Sequence, residues 1–176
     1  NEPYPIRLKS RSNYIKESCS VPPISLNFSK AEFEDKSLKQ LEKLKQVNAC
    51  ELQNTYEQYI LREYLIYKSF NLLSDKSLKA RLLRIEYVDL KGKAESVTRW
   101  GFVMEDQYQM AARLNGIMVK REGMDENDTN RQQMVMLAIF QFMIGNTDWQ
   151  VSKLHNIHLL RVLIDSDSEL YPITYD

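Results

Sequence analysis

The segment Phe140-Gln-Phe-Met-Ile-Gly145-Asn-Thr-Asp148-Trp-Gln-Val-Ser-Lys-Leu-His155-Asn156-Ile-His-Leu-Leu160 leaves the chain few ways to fold. From Gln132 to Ile144 apolar side chains fall on nearly every side of a helical wheel, which predicts a buried helix. Gly145 stops it, because glycine takes the left-handed position at a helix C-terminus without steric cost. A polar loop carrying Asp148 and Asn156 follows. Ile157–Ile164 then predicts a buried strand, Asp165-Ser-Asp-Ser-Glu169 a turn, and Leu170–Thr174 a last strand before Tyr175 and Asp176.

That order of residues has a chemical meaning. An acid, an amide and a second acid, each delivered by a segment flanking a strand, is how kinase-type phosphotransferases assemble a catalytic and metal site. One carboxylate orients a hydroxyl or accepts its proton. The amide and the other carboxylate hold a divalent cation against phosphates. Asp148 is thus the candidate catalytic base and Asn156 a candidate metal ligand. The plainer alternatives are an Asx-turn or cap for Asp148 and a simple turn residue for Asn156. His155 reads as a structural residue that orders the loop.

The rest of the composition mostly excludes. Lys+Arg and Asp+Glu both number 24, so zero net charge gives no electrostatic case for nucleic acid or an anionic membrane. Ten tyrosines and six phenylalanines are too many for a disordered chain. No apolar run approaches the roughly 20 residues of a membrane-spanning helix. The opening Asn1-Glu-Pro-Tyr-Pro is not a signal peptide and no initiating Met precedes it, so we expect an excised or processed segment that has lost any targeting sequence. Export to the periplasm or the exterior is the favoured compartment. Cys19 and Cys50 lack CxxC spacing, and His155 and His158 do not complete a zinc site. They form either one disulfide, worth about 3–4 kcal/mol for a loop of about 30 residues, or two unpaired thiols.

Upstream, Ile6–Ser10 and Pro23–Phe28 alternate as strands, with a basic polar loop between them. Lys30–Lys45 predicts loop and short helix leading to a brief strand at Leu44–Val47. Thr55–Leu73 is the clearest helix, with Tyr56, Tyr59, Ile60, Tyr64, Tyr67 and Phe70 as a core stripe. Leu82–Val88 and Val97–Met104 predict a hairpin whose connection, Asp89-Leu-Lys-Gly92-Lys, places a glycine in the turn. Asp106–Leu114 predicts a short helix and Asn115–Asn130 a polar linker. The fold class expected is α+β and protein-kinase-like. Residues 1–105 would form a small β-rich lobe with one long helix, 106–130 a hinge or connector, and 131–176 the beginning of a helical large lobe.

Several of these residues carry a family resemblance. The run Arg7-Leu-Lys-Ser-Arg11-Ser-Asn13 followed by Pro23–Phe28 resembles the opening of the spore-coat protein H (CotH-like) atypical kinases. The long helix and the strand ending Gly101-Phe-Val-Met-Glu105, where that family has an acidic hinge, are similar in order and spacing. Met143–Asn156 and the ending Tyr171-Pro-Ile-Thr-Tyr-Asp176 resemble a set of Bacteroidetes proteins with an Ile-Gly-Asn-Thr-Asp-Trp motif. The resemblance implies ATP and Mg²⁺ or Mn²⁺ as cofactors and transfer of phosphate to a hydroxyl of a protein or small molecule. It makes Asp176 the second metal carboxylate. Arg11 and Lys16 become phosphate-neutralising groups, and Lys45 the nucleotide lysine, with Lys43 a close competitor. Glu63, or else Glu57, would be that lysine's ion-pair partner, and the backbone of Met104 and Glu105 would contact adenine. Two rivals stay open. One is a non-catalytic interaction module on a degenerate kinase-like fold, favoured by Ser12 in place of a glycine and by the long Asp148–Asn156 spacing. The other is a nucleotidyl transferase on the same scaffold.

Overall fold

The computed structural model describes residues 6–10, 19, 24–28, 43–51, 54–93, 95–164 and 167–175. Among them the protein is α+β, with two antiparallel sheets and three α-helices. It divides into two compact units, Asn1–Leu65 with Ala80–Asp106, and Ile66–Lys79 with Gln107–Asp176.

The first unit is built on strands β1 (Ile6–Ser10), β2 (Ile24–Phe28), β3 (Lys43–Val47), β4 (Ala80–Tyr87) and β5 (Val97–Glu105), ordered β1-β2-β3-β5-β4. β5 is an interior strand, paired with β3 and β4, and is buried on both faces: Phe102, Val103 and Met104 are all buried. Gly101 is needed there, since a Cβ would lie 2.6 Å from Ile85 Cδ1 and 3.0 Å from the Val47 carbonyl. Helix α1 (Asn54–Leu73) begins in this unit, with Tyr64 tilted against Phe102 at 6.0 Å between ring centroids. β3 ends at the Val47–Phe102 pair, and beyond it the Trp100 backbone N–H donates to the Glu57 carboxylate at 2.6 Å. The side chain thereby satisfies a sheet amide that β3 no longer reaches. The tyrosine stripe on α1 is only partly core: Tyr67 and Phe70 are buried, whereas Tyr56 and Tyr59 are exposed. The two cysteines are not free thiols; Cys19 and Cys50 form a disulfide.

The β4–β5 connection is a local structure. The Asp89 carboxylate accepts from the Lys91 and Lys93 amides, both at 2.9 Å, and Gly92 takes φ +66° while its N–H bonds the Asp89 carbonyl. Asp89 is therefore used on its own turn.

The second unit holds the end of α1, helix α2 (Gln107–Arg113), strand β6 (Gly116–Val119), a 3-10 turn (Glu126–Asp128), helix α3 (Arg131–Met143) and strands β7 (Ile157–Ile164) and β8 (Asp167–Thr174). The sheet order is β6-β7-β8. Its core joins Phe70, Met134, Leu137, Phe140, Val151, Ile157, Leu159 and Leu170, with Phe70 and Phe140 rings 4.9 Å apart. Each fully buried aliphatic or aromatic side chain here contributes about 1.5–3 kcal/mol. Buried Tyr171 donates its hydroxyl to the Glu169 carboxylate. Burial, then that bond and the carboxylate's charge, push its pKa up to about 12.

Three further expectations change. The stretch expected to be a polar linker contains edge strand β6 and a capped 3-10 turn, because Gly116–Val119 pairs with Leu159–Val162. β8 starts at Asp167 rather than Leu170, with Ile164 paired to Asp167, so most of the expected turn is strand. Helix α3 is not buried on every side. Gln133 and Gln141 face inward, while Val135, Ile139, Phe142 and Met143 are exposed. The buried glutamines are held by specific bonds: Gln133 donates to the Lys76 carbonyl and accepts from Ser74, and Gln141 donates to the Thr174 hydroxyl. Among the described residues no helix is long and apolar enough to cross a membrane.

Candidate active site

The site begins at the end of α3. Ile144 is the last helical cap, Gly145 takes φ +71°, its N–H bonds the Phe142 carbonyl, and the Asn146 N–H reaches back to the Gln141 carbonyl. This is a Schellman ending, which turns the chain sharply out of the helix. The Asn146 side chain then accepts from the Asp148 N–H at 2.9 Å. The Asx-turn expected as the plain role of Asp148 thus belongs to Asn146, and the Asp148 carboxylate is left for other partners.

Beyond Asp148 the loop folds back on itself. Gln150 and His155 exchange both backbone hydrogen bonds, at 2.9 and 3.0 Å, around the turn Val151–Leu154. Val151 is fully buried, and Trp149 and Leu154 pack against the same core. That burial offsets an unfavourable backbone, since Leu154 sits at φ +52° without being glycine. Asn156 also sits in the left-handed region, at φ +51°, where asparagine is well tolerated.

The fold-back brings the two ends of the loop together. The Asn156 side-chain amide donates to the Asp148 carbonyl at 2.8 Å and to its Oδ2 at 3.2 Å. His155 Nε2 lies 2.8 Å from Asp148 Oδ1. Both carboxylate oxygens are therefore held, each from a different side chain, while the carboxylate itself stays open to solvent with 77% of its side-chain surface exposed. Only the amide nitrogen of Asn156 can donate to these two acceptor atoms, so Nδ2 is the atom that faces Asp148 and Oδ1 is the acceptor of the same side chain. An amide oxygen is a suitable ligand for a hard divalent cation. The main chain of Asn156 accepts from the Tyr175 N–H at 3.1 Å, continuing the β7–β8 register. Asp176, which follows Tyr175, lies outside the described residues. Among the described residues no group of three or more acidic, histidine or cysteine side chains forms a metal cluster.

The described first-unit candidates lie on β3, β5 and α1. Lys45 is half-buried on β3 opposite Met104, and Lys43 lies 3.9 Å from the Asp106 carboxylate. Glu63 is half-buried on α1, and Glu57 is committed to the Trp100 amide. Met104 lies between β3 and β4, and Glu105 stands opposite Leu44 of β3. Arg11, Ser12 and Lys16 lie outside the described residues. The contact that sequence reasoning missed is His155 on Asp148. Its only signal was a histidine next to Asn156, without any indication that a bridge to Gln150 aims it back. No family model, curated protein or solved structure matches the chain.

Proposed function

We propose that the protein is a CotH-like atypical kinase that transfers phosphate from ATP to a hydroxyl, with Mg²⁺ or Mn²⁺. One observation carries the reading: Asp148 and Asn156, eight residues apart, converge so that a solvent-open carboxylate stands beside an amide that faces it with its nitrogen. In this reading Asp148 orients the acceptor hydroxyl and takes its proton, and Asn156 both holds Asp148 and offers Oδ1 to the cation, with Asp176 as the second carboxylate. The cation neutralises charge on the phosphates when bound. Holding the acceptor in line is worth a large part of the barrier, because phosphoryl transfer depends on positioning more than on covalent help. The kinase-like arrangement of the fold belongs to the same proposal. The Cys19–Cys50 disulfide supports an oxidising compartment, so we place the protein outside the cytoplasm.

The test is incubation with ATP and Mn²⁺ or Mg²⁺, with the products read by mass spectrometry. Metal-dependent gain of phosphate on the protein or an added hydroxyl compound supports the proposal. Gain of nucleotide instead supports the nucleotidyl transferase. No metal-dependent turnover by the folded protein leaves the interaction module.

A further inference from the structure

The His155–Asp148 contact is out of proportion to its use in folding. The pair is solvent-open, with 55% of the His155 and 77% of the Asp148 side-chain surface exposed. A pair that open to water adds little to stability. The loop does not need it either, because Val151, Trp149 and Leu154 anchor it to the core and the Gln150–His155 bridge closes it. What the contact does is local. Asp148 stands on a loop with most of its side chain exposed, and two donors converge on its two oxygens. Asn156 takes Oδ2 and His155 takes Oδ1.

We propose that His155 is a positioning residue, which fixes the Asp148 carboxylate in the orientation that chemistry at this site requires. This rests on the phosphotransferase reading. An ionised carboxylate only accepts hydrogen bonds, so the ring must present Nε2–H to Oδ1. The ring is aimed by its backbone: the His155 N–H and carbonyl are both bonded to Gln150, which fixes where its Cβ points. Oδ1 and Oδ2 are each held by one donor, and the carboxylate keeps lone pairs open to solvent. A hydroxyl approaching from there meets a base that does not have to reorient, the kind of preorganisation by which supporting residues raise a rate without touching substrate.

The experiment has two arms on the full chain. In the first, the ring nitrogens of His155 are read by long-range proton–nitrogen NMR, which needs no turnover. The Nε2–H tautomer is expected in wild type, with its nitrogen shift moved by Asp148→Ala. A ring that does not respond to Asp148→Ala overturns the proposal. In the second arm, phosphate transfer from Mn²⁺–ATP is measured. His155→Ala should lower kcat about 10- to 100-fold with KM for ATP unchanged. His155→Gln, which keeps a donor, should recover part of that loss, and added imidazole should rescue His155→Ala but not Asp148→Ala. Wild-type kcat in His155→Ala overturns the proposal. A wild type without any transfer overturns the functional reading and the catalytic meaning of His155 with it, and the NMR arm then decides separately whether His155 holds Asp148.

Discussion

Several described loops carry an aspartate a few residues from a glycine in the left-handed region, and the β4–β5 connection and the loop after α3 use it in opposite ways. In the β4–β5 connection Asp89 bonds the amides two and four residues ahead, so its carboxylate closes its own turn. After α3 that task passes to Asn146, and the Asp148 carboxylate is instead gripped by side chains from the far end of a loop. The first arrangement is local and needs nothing from the core. The second requires Val151 to be buried and Leu154 to accept a strained backbone. An aspartate relieved of turn duty by a neighbour, then held open to solvent by distant donors, marks a site better than an aspartate near a glycine does.

Substitutions can break this contrast, and the largest expected effect is on rate. Asp148→Asn should lower phosphate transfer about 10²- to 10⁴-fold, the usual contribution of a positioned general base. Asp89→Asn should leave transfer unchanged and cost about 1 kcal/mol in urea denaturation, the net worth of a surface hydrogen bond or two. Next comes anchoring. Val151→Ala should destabilise by about 2 kcal/mol through its cavity and slow transfer as the loop loosens. Leu90→Ala, in the Asp89 turn and 95% exposed, should change stability by less than about 0.5 kcal/mol. Equal losses for the two would remove the distinction between the loops.

The glycines sharpen the same comparison. A Cβ at Gly92 or Gly145 meets nothing within 4 Å, so replacement strains only the backbone, at φ +66° and +71°. Alanine at either should cost about 1 kcal/mol, but only Gly145→Ala should also lower transfer, because it alone redirects a chain leading to Asp148. A separate effect, independent of either loop, lies at high pH, on β8. Tyr171 has its pKa raised to about 12, from a reference of 10.0, so folding favours its neutral form. Its contribution is complete below pH 10 and is lost as pH rises toward 12. Tyr171→Phe should therefore make stability fall less steeply across that window, as followed by chemical denaturation at a series of pH values.

Much of the scaffold was legible in the chain. Alternation in Leu82–Val88 and Val97–Met104 announced the β4–β5 hairpin because side chains on a strand repeat every second residue, and Gly145 announced the end of α3. The order β3-β5-β4 was not legible, since the pairing of Lys45 with Met104 depends on contacts distant in sequence. Nor was the exposure of Phe142: the hydrophobic pattern does not reveal that Gln133 and Gln141 find buried partners and turn inward instead. In the site, the residue types at Asp148 and Asn156 could be read, but not their meeting. That depends on the Gln150–His155 bridge and on two left-handed residues, Leu154 and Asn156, neither of which is a glycine that would have flagged the turn.

Calorimetric titration of ATP with and without Mn²⁺ shows whether this loop presents an acid and an amide to a metal-bound nucleotide, as we propose. The account predicts binding that requires Mn²⁺ and weakens at least about tenfold in Asn156→Ala, roughly 1.4 kcal/mol, while Asp89→Asn binds as wild type. Binding indifferent to Mn²⁺, or an Asn156→Ala protein that binds as tightly as wild type, would contradict it.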